Sequence, residues 1–347
     1  MKAKRGRKGA TRKSGRGGAR PKRAAAKPLA IGIDLGGTNL KGVVMAEDGV
    51  RRHEYRVPTE AARGGAQVLA NIVKLVGMLI ESEGGTEQIR GVGIGTPGFV
   101  DGDGLILGGA ENIPGWKGNN MFKPIVSRYG LRATAGNDVT VAALAEAKYG
   151  AGRGIANMAL FALGTGIGGG IVINGHVYKG THGMAGELGH IQVEREGLPC
   201  TCGRRGCVEQ YASATGIVNN AKILCAKMSQ VTPFVELVRM HPEQVTSKVV
   251  YDYVAKGDAG AIAVHEYVCD HLAMAVGIVL GSLTPDRVVL GGGVLQAGQI
   301  IVDTVARHTG KYCWPQIRER CDIVAAQCGD AAGVLGAAAL VFDEMGG

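Results

Sequence analysis

One pattern occurs twice along this chain: a strand, a glycine-rich turn, a second strand and then a hairpin turn. In the first copy the apolar run from Leu29 breaks at residues 36–38, resumes and reaches Asp48-Gly49. In the second copy the run from Leu160 breaks at residues 164–170 and reaches Asn174-Gly175, whose glycine lies 126 residues after the first hairpin glycine. Asp-Gly and Asn-Gly favour tight hairpins. Such a repeat predicts two similar α/β lobes, each of which presents a glycine turn to a shared cleft.

Apolar periodicity predicts helices between these strands, and strands that alternate with helices are typical of an α/β protein with mixed sheets. A further predicted strand over residues 287–290 leads directly into Gly291. The predicted helices cover residues 68–80, 139–149, 259–283 and 331–343.

The positive charge of the chain is concentrated at its beginning. The 347 residues carry a formal net charge of +9, yet residues 1–28 contain 12 Lys or Arg and no acid, so the remainder has a net charge of −3. Because this stretch has no apolar periodicity, we expect a basic disordered tail over residues 1–28. Nonspecific contact with nucleic acid is one alternative for the tail, and a transit peptide is another. The N-terminal lobe is then expected over residues 29–136 and the C-terminal lobe over 137–347.

Neither a secretory signal nor a membrane span is expected. The tail has no apolar core, and the longest uncharged apolar run, residues 272–283, is too short to cross a bilayer. We therefore expect a cytoplasmic protein without membrane contact. In a reducing compartment, clustered cysteines indicate a metal site rather than disulfides.

Four residues with side chains that zinc prefers lie near one another in the sequence. His190 is followed by Cys200, Cys202 and Cys207, and three thiolates with one imidazole make a closed tetrahedral zinc set. The alternative is that these cysteines are reduced, buried thiols. We predict a structural zinc ion in a loop over residues 190–209.

The glycine turns are candidates for holding nucleotide phosphates. Two G-x-G-x-x-G matches begin at Gly93 and Gly164, but neither has the context of a dinucleotide fingerprint, and no Walker G-K-[ST] occurs. Successive backbone N–H groups can instead form a concave nest for a phosphate. A tight β connection is the alternative for each turn. The candidate nucleotide-binding residues are Gly36, Gly37, Thr38, Gly164, Thr165 and Gly166.

Polar residues beside these turns are candidates for binding and catalysis. Asp34 directly precedes the first turn and is suited to hold a magnesium ion through water. Asn137 and Asp138 precede a predicted helix, where both favour N-cap positions, but a carboxylate there can also accept a proton from a substrate hydroxyl. Glu187 and Glu209 flank the cysteine loop and are either surface charges or ligands for a polyhydroxylated molecule.

In combination, these motifs resemble the ROK family (repressors, open reading frames and kinases), and especially its bacterial glucokinases. The resemblance runs in family order from about residue 29 to the C-terminus. The combination of GELGH with the cysteine loop is the specific part, because single glycine turns are common. The matching segments are GIDLGGTNLKG at 32–42, GIGTPG at 93–98, NIPGW at 112–116, ND at 137–138, LGTGIGGGI at 163–171, GELGH at 186–190, CTCGRRGCVEQYASATGI at 200–217 and VVLGGGV at 288–294.

The resemblance implies an α/β protein with the two-lobed, actin-like ATPase fold of sugar kinases and hexokinases, together with a zinc loop. It implies that Asp138 takes the proton of the sugar hydroxyl. Asn137, Glu187, His190 and Glu209 would hold the other hydroxyls, with His190 binding zinc through one ring nitrogen and facing the sugar with the other. The nucleotide would lie among the two turns named above and a third turn formed by Gly291, Gly292 and Gly293.

The sequence departs from the family pattern after Asn137-Asp138, where Val139-Thr140 stands in place of the frequent Ala-Asn. We predict an enzyme that uses ATP and Mg²⁺ to phosphorylate a hexose, most suitably glucose at its 6-hydroxyl, and that forms a homo-oligomer, either a dimer or a tetramer. The alternatives are a kinase for an N-acylhexosamine or fructose, and a sugar-responsive repressor. The repressor is disfavoured because residues 1–28 lack the apolar pattern of a helix-turn-helix.

Overall fold

The computed structural model of the chain describes residues 27–110 and 112–345. The tail predicted over residues 1–28 thus lies outside the described residues, apart from Lys27 and Pro28. Lys27 forms an ion pair with Asp48 in the first hairpin turn.

Twelve strands form within the described residues. They are β1 (Leu29–Leu35), β2 (Asn39–Ala46), β3 (Arg51–Pro58), β4 (Ile89–Thr96), β5 (Phe99–Val100), β6 (Ile106–Gly108), β7 (Ala133–Asn137), β8 (Met158–Leu163), β9 (Ile167–Ile173), β10 (His176–Val177), β11 (Arg287–Gly291) and β12 (Asp322–Ala325).

Two five-stranded sheets share one topology. The strand order is β3-β2-β1-β4-β7 in the first sheet and β10-β9-β8-β11-β12 in the second. In each order the first three strands are antiparallel neighbours, and the last three strands run parallel. The shared topology confirms the predicted repeat, in which each glycine turn joins two antiparallel strands.

Eleven α-helices complete the described ranges. They are α1 (Gly65–Glu83), α2 (Phe122–Tyr129), α3 (Asp138–Tyr149), α4 (Glu209–Ala212), α5 (Ala214–Lys227), α6 (Pro233–Met240), α7 (Ser247–Ala255), α8 (Ala259–Leu283), α9 (Gln299–Thr309), α10 (Pro315–Arg318) and α11 (Ala332–Met345). The four predicted helices correspond to α1, α3, α8 and α11.

The closing helix α11 packs against the first sheet, whereas the sequence analysis placed it in the C-terminal lobe. Helix α1 covers one face of that sheet, and the other face is covered by α11 together with α3. Glycines on the sheet permit the close approach, because a Cβ added to Gly32 would lie 2.7 Å from the backbone nitrogen of Ala338. The prediction was wrong because one apolar face of the first sheet needs a covering helix, and α11 at the end of the chain provides it.

The second half of the chain adds a large helical core to its sheet. Helices α5 to α9 pack into one apolar cluster with the second sheet. Helices α1 and α8 have the length and mean hydropathy of a membrane span, but 44% and 56% of those stretches are buried inside the protein. Both helices contribute side chains to the apolar clusters of the fold, as core helices do.

The parallel pairing sets where functional side chains emerge. At the carboxyl edge of the first sheet, Asp34 pairs with Gly95, and Thr96 pairs with Asn137. At the corresponding edge of the second sheet, Gly291 pairs with Ala162, two residues before the second glycine turn. Ligands of open α/β sheets bind outside the carboxyl ends of the strands.

Candidate active site

Asn137 and Asp138 stand at the junction of β7 and α3 and have different local roles. Asn137 is the N-cap: its Oδ1 accepts hydrogen bonds from the backbone nitrogens of Val139 at 3.0 Å and Thr140 at 3.4 Å. Asp138 Oδ1 also accepts a hydrogen bond from Val139 N, at 2.9 Å. Its second oxygen, Oδ2, has no hydrogen-bond partner among the described residues, so it is available to a ligand.

The surroundings of Asp138 favour its protonated form more than water does. Its pKa is raised to about 6, mainly by burial and also by the negative charges of Asp34 and Glu187, against the lowering effect of the Val139 N–H. Asp138 is therefore within electrostatic range of one carboxylate from each half of the chain. A carboxylate with a pKa near 6 is mostly ionised at pH 7 and is a stronger base than an ordinary aspartate.

Asp34 lies at the end of β1, near Asp138. Burial raises the pKa of Asp34, and the positive charge of Lys41, which is directly opposite on β2, lowers it. A Cβ added to Gly333 in the first turn of α11 would lie 2.5 Å from Asp34 Cγ, so this position has room only for glycine. A partly buried carboxylate beside a second carboxylate is a donor set that fits Mg²⁺, which prefers oxygen ligands and retains waters.

A second group of polar side chains comes from the loop after β10 and from α4. His190 Nε2 lies 3.8 Å from Glu187 Oε2. Glu209 Oε2 accepts a hydrogen bond from Ile167 N at 2.9 Å, and its carboxylate contacts the position where Gly166 would carry a side chain. Burial raises the pKa of Glu187, the charge of His190 lowers it, and the charge of Glu209 raises it. The second glycine turn and three predicted ligands thus form one cluster.

The four predicted zinc ligands converge in space. Their donor atoms all lie within 4.8 Å of one another. His190 Nδ1 is 3.5 Å from Cys200 Sγ, and Cys202 Sγ is 3.6 Å from Cys207 Sγ. An ion bound at zinc's usual bond lengths would place tetrahedral donors roughly 3.5–3.8 Å apart. The donor set therefore fits zinc, and these two donor pairs lie at the separations that a bound ion would require.

The ring of His190 is oriented as a bridge between this cysteine cluster and the polar group. Nδ1 faces Cys200, and Nε2 faces Glu187. Glu209 Oε1 lies 4.0 Å from Cys200 Sγ, so it also borders the cluster. The remaining cysteines lie outside it, and Cys225, Cys269 and Cys321 are buried.

The three glycine turns lie at strand ends but differ in local structure. Gly36 O accepts a hydrogen bond from Thr59 Oγ1 at 2.6 Å, while Gly37 and Thr38 are exposed. In the second turn Gly164 N donates to Gly166 O at 2.9 Å, and Thr165 lies between them. In the third turn Gly291 ends β11, and Gly292 has a positive φ of 88° and packs against the backbone of Leu163, so it adjoins the second turn. A Cβ added to Gly37 or Gly293 would meet open space, which leaves room for a ligand.

The structure therefore brings most of the predicted residues into two groups. Asp34, Asn137 and Asp138 belong to the first sheet, and the carboxylates and histidine near the cysteine cluster belong to the second half. Electrostatic effects on Asp138 connect the two groups. Within the described ranges, no hydrogen bond joins the turn at residues 36–38 to the turn at 291–293.

Sequence reasoning missed three residues that support this site. Gly98 has a positive φ of 81°, and its carbonyl accepts a hydrogen bond from Asn137 Nδ2 at 3.4 Å. Thr59 donates a hydrogen bond from its hydroxyl to the first turn, and Lys41 lies opposite Asp34 on the neighbouring strand. The register across the 36–38 turn could have located Lys41, because the two strands are antiparallel. Nothing local predicts the contact of Thr59.

Comparison with known proteins agrees with this architecture. The model of the ROK family matches residues 30–344. A glucokinase of Halalkalibacterium halodurans is 35% identical over 318 residues, which are 90% of this chain and 95% of the relative. The crystal structure of a ROK family glucokinase from Streptomyces griseus in complex with glucose and AMPPNP is 30% identical, has a TM-score of 0.71, and is matched over 90% of this chain and 98% of that one.

Relatives with other names match over similar shares of this chain. An N-acetyl-D-glucosamine kinase of Haemophilus influenzae is 30% identical over 90% of this chain and 99% of its own length. The xylose repressor of Bacillus subtilis is 23% identical over 91% of this chain and 77% of its own length. Since the family model spans nearly the whole chain and the fold agrees with that of ROK sugar kinases, this protein is a member of the ROK family.

Proposed function

We propose that this protein transfers the γ-phosphoryl group of ATP to a hexose, with glucose as its acceptor. The observation that carries the proposal is Asp138, whose pKa is raised to about 6 and whose Oδ2 is free of described partners. Phosphoryl transfer depends on positioning and charge stabilisation and needs no protein nucleophile. A single tuned base beside polar ligands is what that reaction requires.

In the proposed reaction, the sugar 6-hydroxyl gives its proton to Asp138 Oδ2 while its oxygen forms a bond to the γ-phosphorus. The bond from that phosphorus to the bridging oxygen of ADP breaks, and ADP leaves with the electron pair. The hydrogen bond from Val139 N to Asp138 Oδ1 holds the carboxylate, so that Oδ2 is the oxygen presented to the hydroxyl.

Sugar recognition is assigned to the polar side chains of both groups. Asn137, Glu187, His190 and Glu209 together offer an amide, two carboxylates and an imidazole. Such groups hydrogen-bond hydroxyls and discriminate strongly against analogues that lack them. Support comes from the mutual proximity of Glu187, His190 and Glu209 and from the effect of the Glu187 charge on the pKa of Asp138.

ATP binding is assigned to the glycine turns at residues 36–38, 164–166 and 291–293. Their backbone N–H groups would face phosphate oxygens without a side chain in between. Asp34 would hold Mg²⁺ through water, and that ion, when bound, supplies positive charge against the phosphates. Support comes from the open space at Gly37 and Gly293 and from the carboxylate pair of Asp34 and Asp138.

The cysteine cluster is proposed to hold a structural zinc ion. His190, Cys200, Cys202 and Cys207 would occupy all four positions, so the ion has no site for water activation. When bound, it cross-links the loop that precedes Glu209. We further propose that the enzyme is cytoplasmic. We also propose that it forms a dimer or tetramer, and light scattering of the purified protein would measure this oligomeric state.

A second candidate substrate is an N-acylhexosamine, because an N-acetyl-D-glucosamine kinase is 30% identical to this chain. Fructose is a third candidate substrate. A sugar-responsive repressor is an alternative function, but the repressor relative is less similar to this chain than the kinases are. All of them predict sugar binding, but only the kinases predict turnover.

A hexose panel with a coupled ADP assay tests the proposal. The panel contains glucose, mannose, fructose, N-acetylglucosamine and N-acetylmannosamine, each with ATP and Mg²⁺. We expect the highest kcat/KM with glucose. A higher value with an N-acetyl sugar would replace the substrate but keep the reaction, whereas sugar binding without ADP formation would refute the kinase.

A further inference from the structure

Lys179, from the loop after β10, is attached to the outer edge of β7. Strand β7 ends its sheet, so its outer backbone groups have no partner strand. Lys179 Nζ donates a hydrogen bond to the carbonyl oxygen of Ala135 at 2.8 Å. The same ammonium pairs with Glu344 on α11, whose carboxylate also accepts a hydrogen bond from Thr134 Oγ1. One side chain from the loop after β10 thus binds both β7 and α11, the helix that packs against the first sheet.

The backbone of Lys179 is in turn bonded to the segment that leads to Glu187. Its carbonyl oxygen accepts a hydrogen bond from Ala185 N at 3.0 Å, which closes residues 179–185 into a compact turn. Gly183 in this turn has a positive φ of 71° and lies against the hairpin of β5 and β6, since an added Cβ would be 2.6 Å from Val100 O. The turn is therefore fixed by its own hydrogen bond and by close contact.

These bonds form a short path between the two groups of the site. Ala135 lies three residues before Asp138 on a continuous strand and helix, and Ala185 lies two residues before Glu187. Lys179 bonds to Ala135 with its side chain and to Ala185 with its main chain. We propose that Lys179 is a positioning residue that fixes the separation of Asp138 and Glu187, and this inference rests on the proposed sugar site.

The surroundings of the Lys179 ammonium are buried enough for its removal to have a measurable effect. Ala135 is 5% exposed, so its carbonyl loses a partner when the ammonium is removed. The Lys179 side chain is 25% exposed and that of Glu344 is 36% exposed, so solvent screens their ion pair only in part. A ligand that contacts two separate groups binds more tightly when their separation is fixed beforehand, because less freedom is lost on binding.

Three variants of the full-length protein test the inference. Lys179→Met keeps an unbranched side chain that is one atom shorter but removes the ammonium, and Lys179→Arg keeps a donor with positive charge. The matched control is Lys148→Met, because Lys148 on α3 pairs at 3.3 Å with Asp343, the neighbour of Glu344 on α11, but within the described residues its ammonium has no hydrogen bond to β7 or the turn. We expect Lys179→Met to raise the sugar KM about tenfold, with kcat and the KM for ATP changed less than about threefold. Arginine should recover most of the loss, and the control should behave as wild type.

The split between KM and kcat separates positioning from general destabilisation. A merely structural role would reduce the fraction of active enzyme, which lowers kcat and leaves the sugar KM unchanged. An unchanged sugar KM in Lys179→Met beside an active wild type would overturn the inference and leave the proposed kinase intact. An inactive wild type would instead contradict the proposed function.

Amide hydrogen exchange provides a readout that does not depend on turnover. In the sugar-free protein, Lys179→Met should accelerate exchange in the peptide that contains residues 180–187, while Lys148→Met should not. Equal exchange in wild type and Lys179→Met would overturn the inference whatever the activity of the protein.

Discussion

At the scale of single residues, Asn137 and Asp138 carry the same sequence signal but have different surroundings. Both favour a helix N-cap, and Asn137 fills that position. The unusual pKa of Asp138 depends instead on burial and on Asp34 and Glu187, which are distant in sequence. Helix preference could therefore be predicted from the sequence, whereas the electrostatic environment requires the folded structure.

The raised pKa of Asp138 predicts a pH dependence of activity. The base must be ionised to accept a proton, and burial raises its pKa to about 6 in the free enzyme. Activity is therefore lost as the pH falls through about 6 and regained as it rises. We expect kcat/KM for the sugar to increase between about pH 5 and 7 and then to level off. Initial rates at low sugar concentration measure this profile, and a limb centred near pH 4, as for an ordinary aspartate, would contradict it.

At the scale of elements, the cysteine loop was predictable from the sequence, but its connection to the second glycine turn was not. The spacing of His190 and three cysteines identified the cluster that the structure brings together. The hydrogen bond from Ile167 N to Glu209 was not predictable, since it joins the loop to a strand 42 residues earlier. This bond links the helix that follows the cysteine cluster to the second glycine turn.

Cys202→Ser tests the coupling between metal and sugar. Cys202 lies in the cysteine cluster and is not among the proposed sugar ligands, so the variant should act only through loss of zinc and disorder of the loop before Glu209. We expect loss of bound zinc, a strongly raised sugar KM and a much smaller change in the KM for ATP. Mass spectrometry of metal content, measured beside both KM values, checks this.

The control for that variant is Cys313→Ser, which changes a partly exposed thiol outside the cluster. It should retain zinc and normal kinetics. Active wild-type enzyme without zinc, or a zinc-free Cys202→Ser with an unchanged sugar KM, would refute the coupling.

Glu146 connects α3 to the segment before α11, which sequence reasoning did not anticipate. It is 1% exposed, and its carboxylate accepts hydrogen bonds from the backbone nitrogens of Ala151, Gln327 and Cys328 at 2.7–3.1 Å. Replacing it with alanine leaves these donors without partners. We expect Glu146→Ala to lower the free energy of unfolding by about 2–4 kcal/mol, measured by urea denaturation. The exposed Glu243→Ala serves as control, and equal stability of the two variants would contradict this account.

At the scale of the whole molecule, the sequence repeat predicted two lobes with one topology, and the two sheets confirm it. The partner of α11 was predicted wrongly, because an apolar helix pattern states which face is buried but not against which sheet. Chain order suggested the C-terminal lobe, yet the small residues Gly32 and Gly93 provide the matching surface on the first sheet. Long-range packing of this kind depends on shape complementarity between distant segments.

The basic tail is predicted to be separable from the folded body. Deletion of residues 1–26 should leave kcat and both KM values unchanged, because the proposed site is built from residues 34 onward. It should also abolish any binding to DNA or RNA by the full chain, and such binding should weaken steeply with salt, because it rests on phosphate neutralisation. Kinetics and fluorescence anisotropy with a labelled oligonucleotide measure both effects. A large loss of activity on truncation would mean that the tail contributes to the folded body.

The most direct test of the central claim is Asp138→Asn, measured for turnover and for sugar binding in the same preparation. Asparagine keeps the size of the side chain and a carbonyl acceptor for Val139 N, but it cannot accept the proton. We expect kcat to fall by at least about 10²–10⁴, while the calorimetric Kd for the sugar changes little. Near-normal turnover by this variant would contradict the account, because Asp138 would then be no more than part of a helix terminus.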